Sequence, residues 1–170
     1  TPIITPTTKL EKHDRNVSRE EAIDEGLIDG ETFDAAAEMC LKLYQYGVDY
    51  AAERGLIFVD TKYEIGRLGG ELVVSDEINT PASSRYWYAY TDEELLAAGK
   101  EQRKLDKEYV RSWLADQGFL GDGTPPMLTD DVRVEAAKRY MMAYELITGR
   151  EFVASDEPIA ERISKNLSSF

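Results

Sequence analysis

One stretch constrains the fold more than any other: residues 55–87, GLIFVDTKYEIGRLGGELVVSDEINTPASSRYW. It sets acids and bases among β-branched and aromatic residues, breaks at Gly69-Gly70, then resumes. A period of two marks a strand with two unlike faces. On that period Asp60, Lys62 and Glu64 share one face, while Val59, Thr61, Tyr63 and Ile65 take the other. Beyond the glycines, which tolerate the positive φ of a tight turn, Leu72, Val74 and Asp76 share a face. A three-residue loop at Leu68-Gly69-Gly70 would pair Arg67 with Glu71 and set Lys62 opposite Asp76. Glu64 would then lie diagonally from Asp76, at the roughly 7–8 Å of such neighbours. A slip of one residue would carry Asp76 to the far face. The register that groups the charges is the expected one.

Two carboxylates with a lysine between them suit a divalent cation shared with a phosphate. Magnesium commonly takes only one or two carboxylates from a protein and completes its shell with phosphate and water. Ser84 and Arg85, at the end of the following loop, suggest a phosphorylated ligand, for which a guanidinium fork is well shaped. A solvated strand face with a salt bridge accounts for the same acids and bases. Spacing alone leaves both readings open.

The rest of the chain reads as α+β, a hairpin or small antiparallel sheet packed with several helices. Residues 1–17, with prolines and many threonines, form an extended N-terminal segment. Ser18 and Glu21 make a capping box for a short helix ending near Gly26. A long helix is expected over 32–54, with Phe33, Ala37, Cys40, Leu41, Tyr44, Val48 and Ala51 as its apolar stripe. Thr91 and Glu94 suggest the cap of a short helix that stops at Gly99, and another helix is expected over 106–117. Thr129 or Asp130 opens a helix with Val134, Ala137, Met141, Tyr144 and Ile147 inward and Gly149 at its end. Residues 18–150 form the main lobe, and 151–170 a C-terminal extension with a helix near 156–166.

The acidic segment resembles the signature of the SAICAR synthetase family (phosphoribosylaminoimidazole-succinocarboxamide synthases). That pattern runs D-x-K-x-E-F-G, then D-E, then T-P-D-S-S-R-x-W. Here the matching residues are Asp60-Thr61-Lys62-Tyr63-Glu64-Ile65-Gly66, then Asp76-Glu77, then Thr80-Pro81-Ala82-Ser83-Ser84-Arg85-Tyr86-Trp87. Upstream, Thr5-Pro6-Thr7-Thr8-Lys9 and His13-Asp14-Arg15-Asn16-Val17-Ser18 resemble T-P-T-T-K and H-D-E-N-I-S. Downstream, residues 105–114, LDKEYVRSWL, and 140–149, YMMAYELITG, resemble two further family motifs.

The resemblance implies an ATP-dependent ligase of purine biosynthesis, joining the carboxylate of CAIR to the amine of L-aspartate. The products would be SAICAR, ADP and phosphate, with an acyl phosphate activating an otherwise poor acyl donor. It implies Glu64 and Asp76 as Mg2+ ligands and Lys62 as the residue at the imidazole nucleotide or the transferring phosphate. Ser84 and Arg85 would hold the substrate phosphate, Asp60 would orient the site, and Asp14 would be substrate-adjacent. It also implies a longer, two-lobed enzyme. The present chain matches its C-terminal larger lobe, so the strand-rich lobe that covers ATP would be a missing partner and the chain alone is expected to be inactive. A catalytically degenerate relative, or another Mg-ATP phosphotransferase on the same scaffold, stays open. Two departures stand out: Ala82 replaces the family Asp, and Ile65 the family Phe.

Composition narrows the partners. A net charge of −13 and a pI near 4.5 argue against nucleic acid as a ligand. They are compatible with small anionic substrates, because a few local cations dominate one pocket. A single cysteine allows no internal disulfide, which fits a cytoplasmic setting. No apolar run reaches the roughly 18 residues of a membrane span. Cys40 reads as packing, Trp87 and Trp113 as anchors, and the lone His13 as structural or substrate-adjacent. Lys107 and Arg111, one helical turn apart, suit either a cleft or a surface ion pair.

Overall fold

The computed structural model describes residues 1–9, 11–100, 105 and 108–168. Its elements, in chain order, are α1 (Arg19–Asp24), α2 (Gly30–Ala52), β1 (Leu56–Thr61), β2 (Ile65–Leu68), β3 (Glu71–Val74), β4 (Ser84–Tyr88), α3 (Ala89–Ala97), α4 (Glu108–Asp116), α5 (Asp130–Thr148) and α6 (Ile159–Leu167). The α+β class holds. The local signals that open and close helices are met at several ends. Ser18 accepts from the Glu21 amide while the Glu21 carboxylate accepts from the Ser18 amide, completing the expected box at α1. Thr129 caps α5, and Gly149 ends it in the left-handed conformation at φ 67°.

The strands pair differently from the expected single hairpin. β1 runs antiparallel to β4, and β2 runs antiparallel to β3, as two separate two-stranded sheets. The chain changes partner at Tyr63. The Lys62 amide still donates to Ser83 O (3.2 Å), extending the β1–β4 ladder, whereas Glu64 O accepts from the Ser75 amide (2.8 Å) and opens the β2–β3 ladder. The β2–β3 turn has two residues, not three: Leu68 pairs with Glu71, and Gly69 and Gly70 carry φ of 60° and 92°. Such a loop needs positive φ at both central positions, and two glycines supply it.

The core lies where α2 and α5 meet the β1–β4 pair. Ala51, Leu56, Phe58, Tyr86, Leu105 and Ala143 are buried there, with Tyr44, Val48, Leu146 and Ile147 packed against them. Phe58 lies between Tyr44 and Tyr86, at centroid distances of 5.3 and 5.1 Å, close to the spacing aromatic pairs favour. Of the stripe expected on α2, Ala51 is buried, but Leu41 is exposed. On α5 the inward positions are Val132 and Ala143, whereas Val134 and Tyr144 face out. This helix carries apolar residues on two sides, and the face that packs, with Val132, Ala143, Leu146 and Ile147, is rotated from the expected one and shares only Ile147 with it.

α3 also begins earlier than its sequence signal. Its N-cap is Tyr88, with no side-chain cap, and Thr91 donates to Tyr88 O instead of capping. The Ala89 amide is satisfied by Gly55 O at 3.0 Å, so the helix can start directly from the strand.

Candidate functional site

The β1–β4 ladder sets the first pair of site residues. A bulge between Phe58 and Asp60 shifts the register, so that Asp60 faces Arg85 and Thr61 faces Ser84. Arg85 donates from Nε to Asp60 Oδ1 (2.8 Å) and from Nη2 to Oδ2, a two-point fork. On the other face Ser84, only 2% exposed, shares a 2.8 Å hydroxyl bond with Thr61. Ser84 thus braces the strand pair from inside while Arg85 stands at the surface. The loop before β4 is a tight turn in which the amides of Ser83 and Ser84 both donate to Thr80 O.

Glu64 forms the second group. Its Oε1 accepts from Lys9 and lies 3.3 Å from Lys62 Nζ. The two ammonium groups hold the Glu64 carboxyl below its usual range, Lys9 contributing most, and Glu64 in turn raises Lys9. Lys9 belongs to the Thr5–Lys9 stretch but carries no role by its sequence alone; only the fold brings it to Glu64. It is delivered by a loop closed at the Thr7–Asn16 bridge, where the Thr8 amide donates to Arg15 O and the Arg15 amide to Thr8 Oγ1.

Asp14, on that same loop, joins Asp60 and Lys62 in the wall of a cavity of about 910 Å³. The cavity runs along the N-terminal segment and α2, where Phe33, Ala37 and Leu41 give it an apolar side. The half of the α2 stripe that does not enter the core lines this space. Cys40 lines it too, and burial pushes its thiol up, away from nucleophilic use.

Asp76 stands apart from the expected grouping. Glu64 pairs with Ser75 across the ribbon, one residue off the register that would have set Asp76 diagonally from it. Asp76 lies past the end of β3 in a bend, where its Oδ1 accepts from the Glu77 amide at 2.8 Å. Strand alternation no longer sets its direction there. Glu64 and Asp76 do flank the same open end of the β2–β3 ribbon. Among the described residues no three His, Cys, Asp or Glu side chains gather as a metal cluster. Glu64 and Asp76 each offer carboxylate oxygens, the hard donors of which magnesium commonly takes one or two beside phosphate.

Of the remaining expectations, His13 is exposed, Arg111 pairs on the surface with Glu108 at 3.3 Å, and Lys107 lies outside the described residues. No helix among the described residues is long and apolar enough to cross a membrane.

The chain is similar to known proteins along most of its length. The family model described as SAICAR synthetase matches residues 1–125. The phosphoribosylaminoimidazole-succinocarboxamide synthase of Bacteroides thetaiotaomicron is 45% identical over 174 residues, covering 99% of this chain and 55% of that protein. The Legionella pneumophila (strain Paris) protein of the same name is 43% identical, covering 98% of this chain and 54% of its own length. Among solved structures, SAICAR synthase from Saccharomyces cerevisiae complexed with SAICAR superposes with a TM-score of 0.67 at 33% identity, over 88% of this chain and 47% of that one. A SAICAR synthetase in complex with ADP gives 0.58 at 29% identity, over 84% and 48%. The chain spans about half the length of the curated relatives it matches. On this match, across most of its residues, the chain belongs to the SAICAR synthetase family.

Proposed function

We propose that this chain is the larger lobe of an ATP-dependent ligase that joins the carboxylate of CAIR to L-aspartate, releasing SAICAR, ADP and phosphate. The observation that supports this best is the convergence of Asp14, Asp60 and Lys62 on one cavity, with Arg85 and Glu64 tied to its rim. Relatives complexed with SAICAR and with ADP carry the same fold.

Joining a carboxylate to an amine requires the carboxylate oxygen to leave as something better than oxide. Transfer of the ATP γ-phosphoryl group to that oxygen gives an acyl phosphate. The aspartate amine then attacks the acyl carbon, loses a proton and expels phosphate. The work of the protein in such chemistry is positioning and charge neutralisation. Lys62 supplies a cation where the phosphoryl group moves. Arg85, its plane fixed by Asp60, meets the phosphate of the imidazole nucleotide, while Ser84, expected to share that phosphate, has its hydroxyl bonded inward to Thr61. Asp14 faces the cavity as a substrate contact. Glu64 and Asp76 are the residues that would hold Mg2+, which neutralises phosphate charge when bound. Lys9 and Lys62 keep Glu64 ionised and ready for it. The remaining length of the relatives' chains would supply the ATP-covering lobe, and the cytoplasm is the expected setting.

The test is an assay of the full-length protein with Mg-ATP, CAIR and aspartate. ADP release should require both other substrates, and the 170-residue chain alone should release none. ADP release with another acceptor, and none with these, would overturn the reading.

A further inference from the structure

Asn79 is the single non-glycine residue with positive φ among the described residues, at 55°. Asparagine tolerates that left-handed conformation better than most side chains. Three elements converge on it. Its Oδ1 accepts from the Tyr63 hydroxyl at 2.7 Å. Its main-chain oxygen accepts from the Tyr86 hydroxyl. Its side-chain nitrogen, Nδ2, lies against α2 at Gly47, where an added Cβ would come within 2.8 Å of it. The placement of the two tyrosines gives these bonds meaning. Tyr63 stands between Lys62 and Glu64, and Tyr86 directly follows Ser84 and Arg85. The turn that delivers Ser84 and Arg85 starts at Thr80, the next residue.

We propose that Asn79 is a positioning residue of the candidate active site, fixing the segment that bears Lys62 and Glu64 relative to the strand that bears Ser84 and Arg85. This rests on the functional reading above. Asn79 touches no reacting atom. It acts through two phenols, one on each half of the site, and through the helix backbone behind them. Burial pushes both phenols up to about 12, so at neutral pH each keeps the proton it donates to Asn79.

Two variants delete the same bond from opposite ends. Asn79→Gly keeps the left-handed backbone and the main-chain acceptor but loses the side-chain oxygen that accepts from Tyr63 and the nitrogen that lies against Gly47. Tyr63→Phe removes the donor. In the full-length protein each should lower kcat/KM by about tenfold or, for Asn79→Gly, somewhat more, the size of one net hydrogen bond, and the double variant should lose no more than Asn79→Gly alone. Asn79→Asp, which keeps an acceptor and tolerates the same backbone, should recover most of the loss. Additive losses, single variants within about twofold of the parent, or a lowered unfolding midpoint with unchanged kcat and KM would each overturn the proposal. If the parent shows no ligase turnover, the functional reading fails and amide exchange decides this one. Asn79→Gly should speed exchange at Lys62 and Ser84 by about tenfold relative to the β2–β3 ribbon; unchanged exchange would overturn it.

Discussion

Arg85 and Asp60 face each other across the β1–β4 pair and are joined by two parallel hydrogen bonds, on a surface where each side chain is about half exposed, 47% and 48%. At such exposure the pair contributes about 0–1 kcal/mol to stability. Its consequence is geometric: the carboxylate fixes the plane of the guanidinium. Arg85→Lys keeps the charge and loses the fork. It should raise KM for the phosphorylated substrate by about tenfold or more, while Asp60→Asn, which retains one acceptor, should raise it less. Steady-state kinetics on the full-length protein would show the order, and a reversed order would refute the orienting role of Asp60.

Glu64→Gln should abolish turnover and leave the circular dichroism spectrum of the folded protein unchanged, because Glu64 carries no part of the core. Calorimetric titration with Mg2+ and a non-hydrolysable ATP analogue should show weakened cation binding in the same variant and in Asp76→Asn. Parental rates in either would remove that residue from the cation site.

Ala82 is an exposed position in the turn before Ser84, its amide donating to Thr80 Oγ1 at 3.3 Å. The family pattern carries Asp here. Ala82→Asp should lower KM for substrate without moving the unfolding midpoint. An unchanged kinetic profile would show the alanine to be neutral.

Gly47 lies within α2 where an added Cβ would meet the Phe58 ring and the Asn79 side-chain nitrogen, both at 2.8 Å. Alanine would gain about 1 kcal/mol in helix propensity but would overpack the site, which typically costs about 1–3 kcal/mol. Phe58 is 3% exposed and has little room to yield, so Gly47→Ala should lower the urea midpoint. A raised midpoint would show that the helix and strand can move apart.

The carboxylates of Glu21 and Asp34 lie below their usual range, Glu21 through the Ser18 amide and Asp34 through Arg19. A depressed folded-state value means the stabilisation is present above the ordinary carboxylate range, near pH 4. It is lost as pH falls through the lower folded values. Unfolding midpoints measured from pH 7 to pH 3 should therefore fall on the acid side, and Glu21→Gln should flatten part of that fall. A slope unchanged by the substitution would separate the cap from acid sensitivity.

Local signals proved legible. The box at Ser18 and Glu21, the Thr129 cap and the Gly149 stop all act within one helical turn, a range that sequence spacing describes well. Lys62 and Glu64 were legible for a similar reason: they are close in the chain and remain together as an ion pair. The inward face of α5 was legible only at Ile147, because both of its sides carry apolar residues. The contact of Lys9 with Glu64 was not legible, since the two lie 55 positions apart.

The sequence by itself determined the family, the α+β class and the residues available for chemistry, since these follow from side-chain type and short-range order. Tertiary structure alone decided which strands pair, where Tyr63 hands the chain from one ladder to the other, and that Glu64 faces Ser75 and not the register expected for Asp76. Two adjacent glycines admit loops of either two or three residues. The choice falls to contacts with residues far along the chain, and moving a strand by one position exchanges its faces.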